Sequence, residues 1–218
     1  VIFCKELWIM KGYRLALVRH GMTSANTDGR YIGITDLPLS REGIADLYDK
    51  ADKNLYPSVQ KVYTSPLKRC RQTADILFPN RYTADLGLLA EMNFGDFENK
   101  TAEELMNNKA YKKFLEGGLD NPAPNGESAR DVVNRCYEAL NIIISDMMYE
   151  GLTNCAVVTH SGIIMNMLSC FGVPKLKPAE YKCGFGEGFE ILITASMWQR
   201  SGAFELLGSY PPLQDDEF

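Results

Sequence analysis

The chain is predicted to fold as a three-layer α/β/α sandwich around a mainly parallel, mixed central sheet. Short apolar runs alternate with amphipathic helical stretches along its 218 residues, the order that builds parallel strands joined by crossover helices. Two of the runs, Leu15–Val18 and Ala156–Val158, are apolar throughout, as strands covered on both faces must be. Each ends in a histidine, His20 and His160, and the chain has no others. In an open α/β sheet ligands bind at the carboxyl ends of the strands. A histidine there beside Arg19 points to an anion pocket.

The elements follow in order. Tyr13–Val18 reads as a buried strand, and a Gly/Asn/Asp-rich loop runs on to Leu39. Ser40 is a good N-cap for a helix to about Asn54, with Ile44, Leu47, Tyr48 and Ala51 on one face. Val59–Tyr63 is a second strand. Pro66 suits the first turn of a helix reaching Phe78, and Pro79 lies just past its end. Tyr82–Leu86 is a short strand, and Thr101-Ala102-Glu103-Glu104 is a capping box opening another helix. After the loop Asn121–Gly126 comes a long amphipathic helix, Glu127–Tyr149. Cys155–Thr159 is a buried strand with a helix behind it to about Cys170. Phe189–Ala195 and Ala203–Gly208 are strands joined by Trp198–Gly202, close enough to pair antiparallel.

No break in composition marks a linker, so one domain is expected over residues 10–210, with 94–124 as a lid-like helical insertion. Met10-Lys11-Gly12 looks like a natural start, which makes residues 1–9 an extraneous or mis-assigned leader. Residues 211–218 form an acidic, frayed tail. The net charge of −5 argues against a nucleic-acid or anionic-membrane partner. No run reaches the roughly 18–20 apolar residues of a membrane span. Six scattered cysteines without C-x-x-C or zinc-like spacing fit a reduced, cytoplasmic protein.

Four segments carry candidate chemistry. In Arg19–Asn26, Arg19 offers a planar fork of donors for phosphate oxygens. His20 is either a neutral nucleophile or proton-transfer group, or a strand-end histidine satisfied by a backbone carbonyl. In Thr64–Ala74, Arg69 and Arg71 are two residues apart and cannot share a helix face, so one reaches the strand ends and the other faces solvent. Glu91 ends an apolar stretch without a sequence-local cation, which fits a raised pKa and an acid role as well as an ordinary surface site. Glu127 is explained by the dipole of the helix it precedes. None of the cysteines begins a C-x₅-R motif, no G-K-[ST] tripeptide occurs, and Gly184–Gly188 reads as a flexible turn.

Taken together these segments resemble the histidine phosphatase superfamily, the group that includes the cofactor-dependent phosphoglycerate mutases. R-H-G-x-T-x-x-N appears as Arg19 to Asn26, and T-S-P-L-x-R-x-x-Q-T-A as Thr64 to Ala74. E-x-x-F-G-x-x-E appears as Glu91 to Glu98, P-x-G-E-S as Pro124 to Ser128, and V-x-H-x-G as Val158 to Gly162. The resemblance spans about Tyr13 to Gly208 and implies a phosphoglycerate mutase-like fold. It implies His20 as a nucleophile carrying a covalent phosphoryl group, with Arg19, Arg69 and His160 around that group and Glu91 as proton donor. Thr23, Asn26, Ile32, Gly33, Ser161 and Gly162 would complete the phosphate and substrate contacts. The implied substrate is a small phosphorylated molecule, and no metal or cofactor is expected, since arginine and imidazolium supply the positive charge. Met22 and Asn99 depart from the family's usual glutamate or glutamine and glycine.

Within the family, only 35 residues separate Glu91 from Glu127, and the basic residues among them are Lys100, Lys109, Lys112 and Lys113. A phosphoglycerate mutase would have a longer, more basic insertion, so a phosphatase is the expectation. The loop Tyr31–Ser40 resembles that of broad-specificity and α-ribazole phosphatases. A mutase and a phospho-ligand binder without turnover are the alternatives.

Overall fold

The computed structural model describes residues 11–210 except 27 and 54. The expected leader and acidic tail therefore lie outside the described residues. A seven-stranded sheet runs in the order β3-β2-β4-β1-β6-β7-β5, with β1 Gly12–Arg19, β2 Lys61–Thr64, β3 Thr83–Asp85, β4 Asn154–Thr159, β5 Gly172–Val173, β6 Gly188–Thr194 and β7 Phe204–Tyr210. Neighbours β3, β2, β4 and β1 are all parallel, with Leu17 opposite Val157 and Tyr63 opposite Val157 on its other side. β6 joins β1 and β7 antiparallel, and β5 adds a parallel edge to β7. The sheet is mainly parallel and mixed, as the sequence predicts.

Strand alternation sorts the core onto two faces. Leu15, Leu17, Cys155 and Val157 face helices α5 (Ala129–Glu150) and α6 (Ser161–Phe171), meeting Val132, Leu140, Ile143, Ile163 and Met167. Ala16, Val18, Ala156 and Val158 face α1 (Arg41–Asp52) and α2 (Lys68–Leu77), meeting Leu47, Cys70 and Ala74. These are the three layers.

Capping sets the helix boundaries. Ser40 accepts from Gly43 N, Thr101 and Ser128 each head a complete capping box, and Gly151 closes α5 in the left-handed conformation at φ 72°. Several details differ from expectation. On α1 Leu47 is fully buried but Tyr48 is 55 % exposed, because Tyr48 sits about 40° round the helix from the Ile44–Ala51 stripe. α2 begins at Lys68 rather than at Pro66, because the residue after the proline, Leu67, is still extended and serves as the N-cap. The helix opened by Thr101 is a single turn, α3 (Ala102–Leu105). The Asn108 side chain then captures Ala110 N and Tyr111 N to start α4 (Lys109–Leu115). The β6–β7 connection contains α7 (Ala195–Ser201), capped by Thr194, where a loop is expected.

Segment 94–124 carries α3 and α4 around its own small core of Phe97, Leu105, Tyr111 and Ala123. Among the described residues no helix is long and apolar enough to cross a membrane.

Candidate active site

Three parallel neighbours deliver their carboxyl ends to one place. β1 ends at Arg19-His20, β2 at Thr64-Ser65 and β4 at Thr159-His160. Backbone bonds lock the ends together, His20 N donating to Thr159 O at 2.9 Å and Ser65 N to Val158 O at 3.0 Å. The two imidazoles meet edge to face with ring centroids 5.1 Å apart.

The hydrogen bonds fix both tautomers. His20 Nδ1 lies 2.7 Å from the Gly21 carbonyl, which can only accept, so Nδ1 carries the proton and Nε2 holds a free lone pair. The strand-end histidine is satisfied by a backbone carbonyl at one nitrogen, and that bond leaves the other nitrogen unprotonated. His160 Nδ1 lies 3.2 Å from an Arg69 Nη, which can only donate. His160 Nε2–H then donates to Ser65 Oγ at 2.9 Å. Burial, with Arg69 and Arg19 nearby, pushes His20 down to about 3. His160, fully buried and facing the same cations and His20, is held well below its ordinary value. Both rings are neutral at pH 7. In this structure the positive charge of the site therefore comes from the two arginines.

Arg69 is buried and Arg71 is exposed against Asp85, the division that their spacing requires. Arg69 donates to the carbonyls of Thr35 at 2.8 Å and Gly33 at 2.7 Å. Arg19 donates to Cys183 O at 2.8 Å, and its guanidinium lies 4.0 Å from the centre of the Phe185 ring. Burial lowers both arginines, but from a value so high that they stay cationic. Among the described residues, Nε of each is buried without a hydrogen-bond partner. Unpaired buried donors on two adjacent cations suit a tetrahedral oxyanion.

Glu91 follows a one-turn helix after β3 and accepts from Met92 N at 2.9 Å and Gly162 N at 3.2 Å. Burial raises its pKa, against the pull of those amides and of Arg69 and Arg135. A Cβ at position 162 would sit 2.5 Å from Glu91 Oε1 and push that carboxyl aside. Ser161 opens α6 with His160 as its N-cap.

The remaining candidates sit in a supporting layer. Thr23 is buried, and Asn26 Oδ1 accepts from its N and Oγ1, both at 2.9 Å. Gly33 is held against Glu98, whose carboxylate accepts from the amides of Gly33, Ile34, Thr35 and Phe94, while Ile32 is half-buried beside it. A Cβ on Gly33 would lie 1.8 Å from Met92 O. Asn99, the departure from glycine, adopts φ 62°, a left-handed conformation that asparagine tolerates. Glu127 is corrected as well. It forms an ion pair with Arg135 at 2.7 Å and accepts from Asn93 N, far more than a helix dipole asks. Ser65, Glu98, Arg135 and Phe185 were not singled out from the sequence. The site contacts that mark them out join distant residues, Ser65 to His160, Glu98 to Gly33, Arg135 to Leu88 and Phe185 to Arg19, and only the T-S-P and E-x-x-F-G-x-x-E matches touch two of them.

Fold and site together place two histidines, two arginines and a carboxyl at the carboxyl ends of a mainly parallel sheet, a composition that suits an oxyanion. The model of the histidine phosphatase superfamily (branch 1) matches residues 15–185, and the chain belongs to that family. It is 28 % identical over 160 residues to the adenosylcobalamin/alpha-ribazole phosphatase of Salmonella typhimurium, covering 72 % of this chain and 78 % of the relative. It is 30 % identical to phosphoglycerate mutase-like protein 4 of Arabidopsis thaliana, covering 70 % and 68 %. The alpha-ribazole phosphatase structure from Shigella flexneri superposes with TM-score 0.72 at 25 % identity, over 89 % of this chain and 94 % of that one. Phosphoglycerate mutase from Bacillus anthracis shares the fold with TM-score 0.75 at 20 % identity, over 92 % and 94 %.

Proposed function

We propose that the protein hydrolyses a small phosphomonoester, without a metal, through a covalent phosphohistidine at His20. The observation that carries this is the His20 Nδ1–H to Gly21 carbonyl bond of 2.7 Å, which leaves Nε2 as a neutral nucleophile. In the first step Nε2 attacks phosphorus, the ester P–O bond breaks, and the Glu91 carboxylic acid protonates the leaving oxygen. In the second, the Glu91 carboxylate takes a proton from water as its oxygen attacks phosphorus. The P–N bond then breaks, phosphate leaves, and both residues return to their starting forms. Arg19 and Arg69 hold charge on the equatorial oxygens throughout.

Hydrolysis is favoured over a mutase by segment 94–124. Lys109, Lys112 and Lys113 are exposed on α4, and Lys100 bonds to Asp96 O of its own segment. The similarity to phosphatases named for alpha-ribazole makes a ribazole-type phosphate a natural member of a substrate panel.

The test is hydrolysis of p-nitrophenyl phosphate and a panel of alkyl phosphates in EDTA, with 3-phosphoglycerate assayed with and without 2,3-bisphosphoglycerate. Wild type is expected to release phosphate in EDTA, and His20→Ala to fold but lose at least about a thousandfold in kcat. Robust turnover by His20→Ala would remove the covalent mechanism. Isomerisation without net release would make the enzyme a mutase.

A further inference from the structure

We propose that Arg135 is a positioning residue for proton transfer: clamped by Glu127, it gathers the backbone carbonyls around Glu91 and sets where that carboxyl meets the leaving group. The inference rests on the reading of Glu91 as the acid. A guanidinium has five N–H donors in a fixed fork, and all five of Arg135's are used. Nε bonds Glu127 Oε1 at 2.7 Å, and one Nη bonds Leu88 O at 2.8 Å and Ala90 O at 2.6 Å. The other Nη bonds Glu91 O at 3.2 Å and Glu127 Oε2 at 2.9 Å. The one carbonyl it omits, Leu89 O, accepts from Thr159 Oγ1 at 2.7 Å. Four consecutive carbonyls leading into the acid are thus tied to α5 and β4, and Glu127 closes the far side through Asn93 N at 2.8 Å. The Arg135 and Glu127 side chains are only 14 % and 25 % exposed, so the pair is shielded from salt and competing water. Neither residue is given a role in phosphate binding or covalent chemistry by the site described above.

The geometry has an electrostatic consequence. Around Glu91 stand Arg69 from α2, Arg19 from β1 and Arg135 from α5, with the neutral thiols of Cys70 and Cys136. Both Arg69 and Arg135 pull its pKa down. Removing the Arg135 charge should therefore raise it, and removing the Glu127 charge should leave Arg135 unbalanced and lower it. The two variants shift the alkaline limb of kcat/KM in opposite directions.

The experiment measures Glu91→Gln, Arg135→Gln, Arg135→Lys, Glu127→Gln and the Glu91→Gln/Arg135→Gln double variant on p-nitrophenyl phosphate and on an alkyl phosphate. Alkoxides need protonation to leave and nitrophenolate does not. Arg135→Gln is expected to lose about 10- to 100-fold in kcat/KM on the alkyl ester, the scale of a misplaced group, and far less in kcat/KM on the aryl ester, since this ratio reports phosphoryl transfer to His20 and not the water step that both esters share. It should add little in the Glu91→Gln background. Arg135→Lys should recover the charge but not the positioning, since one ammonium cannot reach the carboxylate and three carbonyls. Equal loss on both esters, additivity with Glu91→Gln, or limbs that do not separate would overturn the proposal. Should Arg135→Gln fail to fold, Arg135→Lys and Glu127→Gln carry the same two readouts. Glu91→Gln that loses nothing on the alkyl ester would remove the acid itself, an outcome distinct from any failure of Arg135.

Discussion

At the scale of single residues the site is organised by which nitrogen is left over. His20 gives Nδ1 to Gly21 O and His160 gives Nε2 to Ser65 Oγ; one Nη of Arg19 donates to a carbonyl, the Nη atoms of Arg69 donate to two carbonyls and His160 Nδ1, and both Nε atoms stay unpaired. Phe185 belongs to this scheme. Its ring packs 4.0 Å from the Arg19 guanidinium and 6.1 Å from the His20 ring. The ring's own loop is pinned by Lys50 to Phe185 O at 2.7 Å and by Tyr56 to Gly186 O at 2.6 Å. A cation–π contact of about 0.5–2 kcal/mol would hold the guanidinium in its phosphate-facing pose. Phe185→Leu, which keeps the bulk and discards the π face, should therefore weaken competitive inhibition by inorganic phosphate about 2- to 30-fold. Phe185→Tyr should remain near wild type. Equal inhibition constants in the Leu and Tyr variants would mean that the ring only fills space.

At the scale of elements, the parts legible in the sequence are those fixed by neighbours close in the chain. Strand-end His20 and His160, the caps Ser40, Thr101 and Ser128, and the division of Arg69 from Arg71 depend on residues a few positions away. What escaped is held by distant partners. Glu98 collects amides 63 to 65 residues back, and Arg135 reaches carbonyls 44 to 47 residues back. Neither periodicity nor propensity carries such information. Asn99 could be aligned with a family glycine, but only its φ of 62° shows why asparagine serves there. The loop 33–35 makes the cost of this layer measurable. Its amides rest on Glu98, and its carbonyls of Gly33 and Thr35 hold Arg69. Hydrogen bonds to a charged acceptor are worth about 1.5–3 kcal/mol. Glu98→Ala is accordingly expected to lose about 2–3 kcal/mol in urea unfolding, with a raised KM as Arg69 loosens, and Glu98→Gln to lose less. An effect below about 0.5 kcal/mol for Glu98→Ala, the range of an ordinary surface change, would show that the loop stands without it.

At the scale of the whole molecule, a chain of net charge −5 keeps its two histidines as buried, neutral groups between two arginines. This couples the site to global stability. Unfolded histidine takes up a proton near pH 6.5, whereas native His20 does so only at about 3. Between those values the unfolded state binds more protons, so stability falls as pH falls. From pH 7 to pH 5 His20 alone should remove about 2 kcal/mol, and His160 acts in the same direction. Glu91 acts oppositely. Its raised pKa means that the native state gains a proton first on acidification, which stabilises it as pH falls. Comparing wild type with His20→Gln cancels Glu91 and the exposed carboxylates and isolates the histidine. Unfolding in urea at pH 7 and pH 5 should show a drop in wild type that is about 2 kcal/mol smaller in His20→Gln. Parallel drops in the two proteins would mean that His20 is already protonated at pH 5. Neutral His20 would then no longer supply the nucleophile in acid, and activity on p-nitrophenyl phosphate should collapse over the same interval.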